Sequence, residues 1–397
     1  MSLEKTFIPY GGYWSTPFAR WQGSLSEYHS IRLAGEVGRE FLQSREIAPD
    51  SFDGVVLGIT VPQRYAFYAG PWFAALAGVP DITGPTLSQA CATSARSLAT
   101  AALEIEAGSR DCVLTAVCDR TSNGPHIYYP SPGGPGGHGK PEDPVLGNMN
   151  MDPYAGQAMT KTAENLAAEA GISKEEQDTV TLMRFEQYED ALAADRAFQK
   201  RYMFPVKLKN GKKSAGVLDA DEGVRPSTAD GLAQLRPVLD GGTVTYGSQT
   251  HPADGNAGMI VSTEERAAEL SRDENVTIQI LSYGEARTEK GFMPKAVVPA
   301  ARNALERAAI GVEQCAAIKT HNPFAVADAY FSREMGVSPE NVNNYGSPLI
   351  WGHPQAPTGM RAIIELVEEL VLEGGGYGLF SGCAGGDSAM SIVLKVS

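Results

Sequence analysis

The sequence predicts an α/β protein, and three observations carry that prediction. Short apolar runs rich in β-branched residues alternate with longer stretches of helical period. The chain of 397 residues is long enough for two domains or one large α/β unit. Its hydrophobic fraction of 43% and charged fraction of 20% are those of a globular, core-forming chain.

Along the chain, the first clear strand is expected at 54–61. A helix follows Cys91, where small apolar residues recur at helical spacing (Ala95, Leu98, Ala99, Ala102), and a second strand is expected at 112–118. From about Asn123 to Gly242 the composition turns to Gly, Pro and charge, including SPGGPGGHGKPEDP. This stretch reads as an excursion from the core with its own helices at 161–170 and 173–194, and long irregular insertions of this kind usually serve as lids or ligand loops. Its glycine run could cradle a phosphate, but a flexible loop is the preferred reading. A helix at 297–309 ends at Gly311, and a strand is expected at 316–320. The strongest helix is 358–372: Thr358 can cap it, Ile363, Leu366, Val367, Leu370 and Val371 form its buried stripe, and Gly374 to Gly376 end it. Strands at 377–381 and 390–396 close the chain. The GGGYG at 374–378 follows a helix and precedes a strand, the reverse of a dinucleotide fingerprint, and is not one.

A formal net charge of −14 argues against a nucleic-acid footprint, though a few local basic residues can still bind an anionic substrate. MSLEKTFIPYGG holds no apolar run of the signal-peptide kind, and no run of about 18 apolar residues occurs elsewhere. The expectation is a cytoplasmic protein without membrane attachment. The five cysteines (Cys91, Cys112, Cys118, Cys315, Cys383) are odd in number and irregular in spacing, and form neither a disulfide framework nor a C-x-x-C zinc pair. Free-thiol chemistry in a reducing compartment remains.

Four segments hold residues able to do chemistry. Cys91 sits at a helix start in TLSQACATSARSLATAALEIEAG, where the helix dipole favours a thiolate; packing of a small-residue helix explains it equally well. His353, between Gly and Pro in NVNNYGSPLIWGHPQAPTGM, is held on a rigid turn. Cys383 lies in SGCAGGDSAM, where glycines permit close approach of backbone or ligand. His321 and Asn322, in IKTHNPFAVAD, sit at a strand end.

Together these segments resemble the thiolase family in order and spacing. IPYGGYWSTPFARWQGSL resembles the family's opening run, and SQACATS its nucleophile segment NxxCASG. NVNNYGSPLIWGHPQAPTG resembles NxxGGAIAxGHPxGxSG, and SGCAGGDSA the C-terminal CxGGGxG. Weaker echoes (DRTSNGP, MTKTAENLA, DEGVR, GTVTYGSQTHPADGNAG) extend the likeness over nearly the whole chain.

The resemblance implies a thiolase fold. Two βαβαβαββ halves, about 1–270 and 271–397, pack as a five-layered α/β/α/β/α sandwich, with the 123–242 insertion over the site. It implies that Cys91 accepts the acyl group, His353 is the base that generates its thiolate, and Cys383 is the acid/base at the reacting carbon. One oxyanion hole then falls to the N–H groups of Cys91 and Gly385, the other to His353 with His321. His321 stands where many thiolases carry asparagine; the sterol-carrier-type thiolases carry histidine there. Phe324 follows in the same HNPF motif. Arg225 matches a CoA-nucleotide contact. Tyr246, Ser248, Thr250 and His251 replace the pantetheine-binding AGNASG run, and Trp351 stands where a small or aliphatic residue is usual, so bulkier groups are expected along the acyl and pantetheine tunnel.

No metal or permanently bound cofactor is implied; coenzyme A is a substrate. The expected reaction is thiolytic cleavage of a 3-oxoacyl-CoA, or the reverse Claisen condensation, by a homodimer or tetramer. The HNPF variant resembles thiolases of branched or aromatic acids such as benzoylsuccinyl-CoA, some of which carry a small zinc-ribbon/OB-fold partner subunit. An acetoacetyl-CoA thiolase is the plainer alternative. A decarboxylating ketosynthase lacks a cysteine where Cys383 stands, and a silent thiolase-like scaffold needs no Cys91/His353 pair.

Overall fold

A computed structural model describes residues 2–131, 133–134, 139–211 and 213–397. Its centre is an 11-stranded sheet path that divides into two similar halves. In the first half Gly54–Gly58 lies parallel to Cys112–Arg120 and to Thr86–Leu87, and Ala253–Ser262 runs antiparallel to Cys112–Arg120. In the second, Cys315–His321 lies parallel to Gly376–Ala384, which forms an antiparallel run with Ser388–Val396 and then Ile278–Arg287. The short strand Phe7–Ile8 joins the halves by pairing with both Ala253–Ser262 and Ile278–Arg287. CVLTAVCDR, buried at all but its last residue, packs on both faces, which is why it reads as continuous apolar sequence rather than alternation.

Three clusters of apolar side chains define five layers. Helices Ser30–Ser44 and Ala69–Ala77 cover the outer face of the first half-sheet. Helices Thr93–Glu106 and Ala356–Leu372 fill the space between the half-sheets. Helices Val297–Ala308 and Ala325–Met335 cover the outer face of the second. The expected α/β/α/β/α order is present. No helix of the described residues is long and apolar enough to cross a membrane.

The middle helix Ala356–Leu372 differs from its sequence reading in two ways. Its polar side as well as its apolar stripe is buried, because it lies between two sheets; Arg361, Glu365, Glu368 and Glu369 find partners there. Thr358 is not its cap. The helix begins at Ala356, Gln355 occupies the cap position with a left-handed φ of 66°, and Thr358 lies inside the first turn with its hydroxyl turned to the site. Helix Val297–Ala308 likewise stops earlier than expected: Ala309 takes the left-handed φ of 55° that ends it, while Gly311 has φ −90°.

The excursion carries helices Met159–Ala170 and Lys174–Arg196, the second capped by Ser173, whose Oγ accepts from the Glu176 N–H at 3.3 Å. Its helical conformation breaks at Ala193 to Asp195, close to the expected end. It also holds two small antiparallel strand pairs and the short helices Leu146–Asn150 and Ala229–Ala233. The glycine run at 132–138 lies largely outside the described residues.

Candidate active site

Two helix N-termini meet in the middle layer, and the chemistry-bearing side chains gather around them. Ahead of helix Thr93–Glu106 a tight turn holds Cys91. The Gln89 N–H donates to Thr93 Oγ1 at 2.8 Å, and that hydroxyl donates to the Ala90 carbonyl at 2.7 Å. Ala90 itself has a left-handed φ of 45°, a strained state of the kind found where a side chain must be aimed. Ser94 Oγ donates to the Ala356 carbonyl, tying this helix to the next.

His353 reaches the same point from Gly352, whose φ of 100° only glycine takes without strain; a Cβ there would also lie 2.8 Å from His251 Nε2. The His353 Nε2 is 3.2 Å from Cys91 Sγ, and its Nδ1 is 2.6 Å from Thr358 Oγ1. With Nδ1 protonated and donating to Thr358, Nε2 presents its lone pair to the thiol. The backbone N–H groups of Gly385 and of Cys91 also point at the sulfur. His321 lies beside His353, with ring centroids 4.4 Å apart and ring planes tilted by 35°, and neither of its ring nitrogens has a partner among the described residues. Cys383 is fully buried, its Sγ 3.9 Å from the His321 carbonyl and close enough to Cys91 for the two to interact electrostatically.

Electrostatics correct one expectation. Burial pushes the Cys91 thiol up to about 11, outweighing the N–H groups that pull it down. Burial, with some repulsion from His251, takes His353 down to about 3. The resting pair is therefore a neutral thiol and a neutral imidazole, and the helix N-terminus alone does not make a standing thiolate. Burial also lowers His321 well below its ordinary value.

A cavity of about 640 Å³ opens above the sulfur. Cys91, His353, Gln355, Gly385 and Gly386 form its floor, and 144–153 of the excursion lines one wall. Phe324, Thr250 and Tyr246 line it as well. Tyr246 is 75% exposed, so its side chain lies mostly in solvent. Four of the residues expected to make contacts do not line this cavity. Ser248 is buried and accepts from the Thr245 N–H at 2.8 Å; His251 supports Gly352 from behind; Arg225 is exposed and does not line the cavity. Trp351 is 0% exposed and turned into the core, edge-on to Phe18 at 5.2 Å with the Arg361 guanidinium 4.3 Å over its ring. The short helix Pro348–Trp351 sets that direction, which a linear sequence does not display.

Three further residues belong to the site. Gln355 holds Oε1 3.5 Å from Cys91 Sγ on a strained backbone (φ 66°, ψ −105°). Thr358 orients His353. Asp119 accepts from the Thr60 and Val61 N–H groups and from Ala356 N–H, each at 2.9 Å, so it joins the loop after Gly54–Gly58 to the start of helix Ala356–Leu372. Burial raises it to about 6, with those hydrogen bonds opposing. A buried-facing aspartate at the end of a strand was the only sequence signal for it.

Comparison with known proteins follows this geometry. Residues 13–265 match the thiolase N-terminal domain and 274–396 the thiolase C-terminal domain. The chain is 28% identical over 393 residues to an acetyl-CoA acetyltransferase of Syntrophomonas wolfei subsp. wolfei, covering 96% of each. It is 30% identical over 388 residues to the beta-ketothiolase BktB of Cupriavidus necator, again covering 96% of each. The Bacillus anthracis acetyl-CoA acetyltransferase structure superposes with a TM-score of 0.91 at 27% identity, over 100% of both chains. The fold is the thiolase fold, and the chain belongs to the thiolase family of enzymes.

Proposed function

We propose that this enzyme cleaves a 3-oxoacyl-CoA with coenzyme A through an acyl group carried on Cys91, and that its acyl group is aryl or branched, as in benzoylsuccinyl-CoA. The observation that carries the chemistry is the Cys91 thiol 3.2 Å from His353 Nε2 on the cavity floor, beneath the Gly385 N–H.

The thiol proton passes to Nε2 as sulfur attacks the 3-oxo carbon. The oxygen left negative is met by N–H donors, from the Cys91 and Gly385 backbone or from the two imidazoles. Collapse breaks the C–C bond, and the departing carbanion takes the Cys383 S–H proton, releasing an acyl-CoA shortened by the acyl group. The thiol of free CoA then gives its proton to the Cys383 thiolate and attacks the acyl-enzyme, and Cys91 leaves and recovers its proton from His353. Two thioesters result and no redox partner is used. Cys383→Ala is expected to form the acyl-enzyme from an activated acyl donor while C–C cleavage falls about a hundredfold or more, as on loss of a positioned acid. Cleavage that survives within about tenfold removes Cys383 from this role.

The cavity wall supports the substrate class. Met149, Met151, Met159 and Met293 line it with Phe324. Thioethers adapt to irregular groups and favour aromatic rings by about 0.3–1.5 kcal/mol per contact. Benzoylsuccinyl-CoA should therefore exceed acetoacetyl-CoA in kcat/KM; equal or better turnover of acetoacetyl-CoA sinks the aryl assignment and leaves the thiolase chemistry in place. The family's homo-oligomers, and a small zinc-ribbon/OB-fold subunit, are the partners we propose.

A further inference from the structure

We propose that Cys91, His353 and His321 together form a reversible binding site for a zinc-class divalent ion, which caps the nucleophile and holds the enzyme inactive. Their ligand atoms, Cys91 Sγ and one nitrogen of each imidazole, all lie within 4.8 Å of one another. Bonds of about 2.3 Å to sulfur and about 2.0–2.1 Å to imidazole nitrogen place tetrahedral ligands about 3.3–3.6 Å apart. The Cys91–His353 pair, at 3.2 Å, is already near that spacing. The widest pair closes with a side-chain rotation of about 1 Å.

His321 supplies the independent observation. It is fully buried, and both its nitrogens lack partners among the described residues, although a buried imidazole normally satisfies at least one. Its ring lies against that of His353, 4.4 Å between centroids. Thr358 fixes His353 through Nδ1 and leaves Nε2 free for the ion, as a supporting hydrogen bond does in metal sites. Both imidazoles are held neutral by burial, which is the ligating form. A sulfur and two nitrogens suit zinc, or cobalt as its probe, and not magnesium or calcium. The cavity leaves a fourth position open to a water.

Binding replaces the Cys91 S–H bond with a sulfur–metal bond, and one proton leaves to solvent for each ion bound. The imidazoles lose none. This site depends on the ligand cluster and not on which acyl-CoA the enzyme cleaves, so metal binding and substrate preference are separate readouts.

The full-length protein is titrated with cobalt(II) and zinc(II) in a weakly buffered solution. One equivalent of cobalt should give a thiolate-to-metal charge-transfer band, with one proton released, and apparent affinity should rise about tenfold per pH unit below the thiol's pKa. Zinc should stop acyl-enzyme formation from an activated acyl donor, and a chelator should restore it. The band should vanish in Cys91→Ser, weaken at least about a hundredfold in affinity in His321→Asn, and persist in Cys383→Ser. In the wild type, absence of a band at one equivalent or of proton release overturns the site. So does a band that survives Cys91→Ser, or one unchanged in His321→Asn.

Discussion

At the scale of single residues, the site works by presentation more than by standing charge. Cys91 and His353 sit within hydrogen-bond reach, yet burial keeps both neutral, from about 3 for the imidazole to about 11 for the thiol. Activation therefore has to come with the substrate, as charge develops on an oxygen facing N–H donors. Such a pair depends on which nitrogen of His353 holds its proton, and when Nδ1–H donates to Thr358 across 2.6 Å, Nε2 is left to take the thiol proton. Thr358→Val is expected to lower kcat about tenfold or more, a part of the roughly 10²–10⁴-fold that a positioned base contributes, with KM nearly unchanged. Thr358→Ser should recover most of the rate, since it restores the hydroxyl. Steady-state kinetics of the two variants decide it, and a Val variant as fast as wild type would show that Nδ1 needs no partner.

At the scale of elements, the site is assembled where two helix starts and a loop are tied together. Asp119, at the end of Cys112–Arg120, holds Thr60, Val61 and Ala356 through three N–H bonds. Burial raises its carboxyl to about 6. Above that pH it is ionised and accepts all three bonds; below it a proton occupies an acceptor and the histidine loop loosens. The sign follows: acyl-enzyme formation should be full above about 6 and fall as pH drops through it, by about tenfold one unit below. Asp119→Asn should be slow at every pH and lack this inflection. A pH profile of the single-turnover acylation rate checks both, and an inflection retained in Asp119→Asn assigns it to another group.

At the scale of the whole molecule, the middle layer is the unusual part. Helix Ala356–Leu372 carries Arg361, paired with Asp221 at 2.6 and 2.8 Å and with Glu365 at 3.0 Å, with no exposed side-chain surface. Removing one partner would strand a buried charge, a loss of about 3–5 kcal/mol. Trp351 closes this network from the site side, its ring under the Arg361 guanidinium. Trp351→Ala is thus a stability change: about 3–5 kcal/mol lost, read by denaturant unfolding, while the benzoylsuccinyl-CoA to acetoacetyl-CoA preference stays constant. A changed preference at unchanged stability would return Trp351 to the acyl tunnel.

The sequence by itself determined the α/β class, the strands near 54–61, 112–118, 316–320, 377–381 and 390–396, and helices such as that at 358–372, and it singled out Cys91, His353, Cys383 and His321. It did not display the strands Ala253–Ser262 and Ile278–Arg287 or the helices Ser30–Ser44, Ala69–Ala77 and Ala325–Met335. Local period, glycine stops and the spacing around Cys91, His353 and Cys383 are properties of short segments, and short segments are what a sequence displays. Only the tertiary structure decided which way side chains point and what charge they hold. Trp351 faces Arg361 instead of the substrate because a four-residue helix turns it. Ser248 lies off the cavity because its hydroxyl accepts from the Thr245 N–H, and His251 because it packs against Gly352. Asp119, Thr358 and Gln355 join the site from distant segments, Asp119 bonding the Ala356 N–H across 237 residues. The neutral state of Cys91 is likewise set by everything packed around it, since desolvation acts over the whole shell and no single neighbour in the sequence carries it.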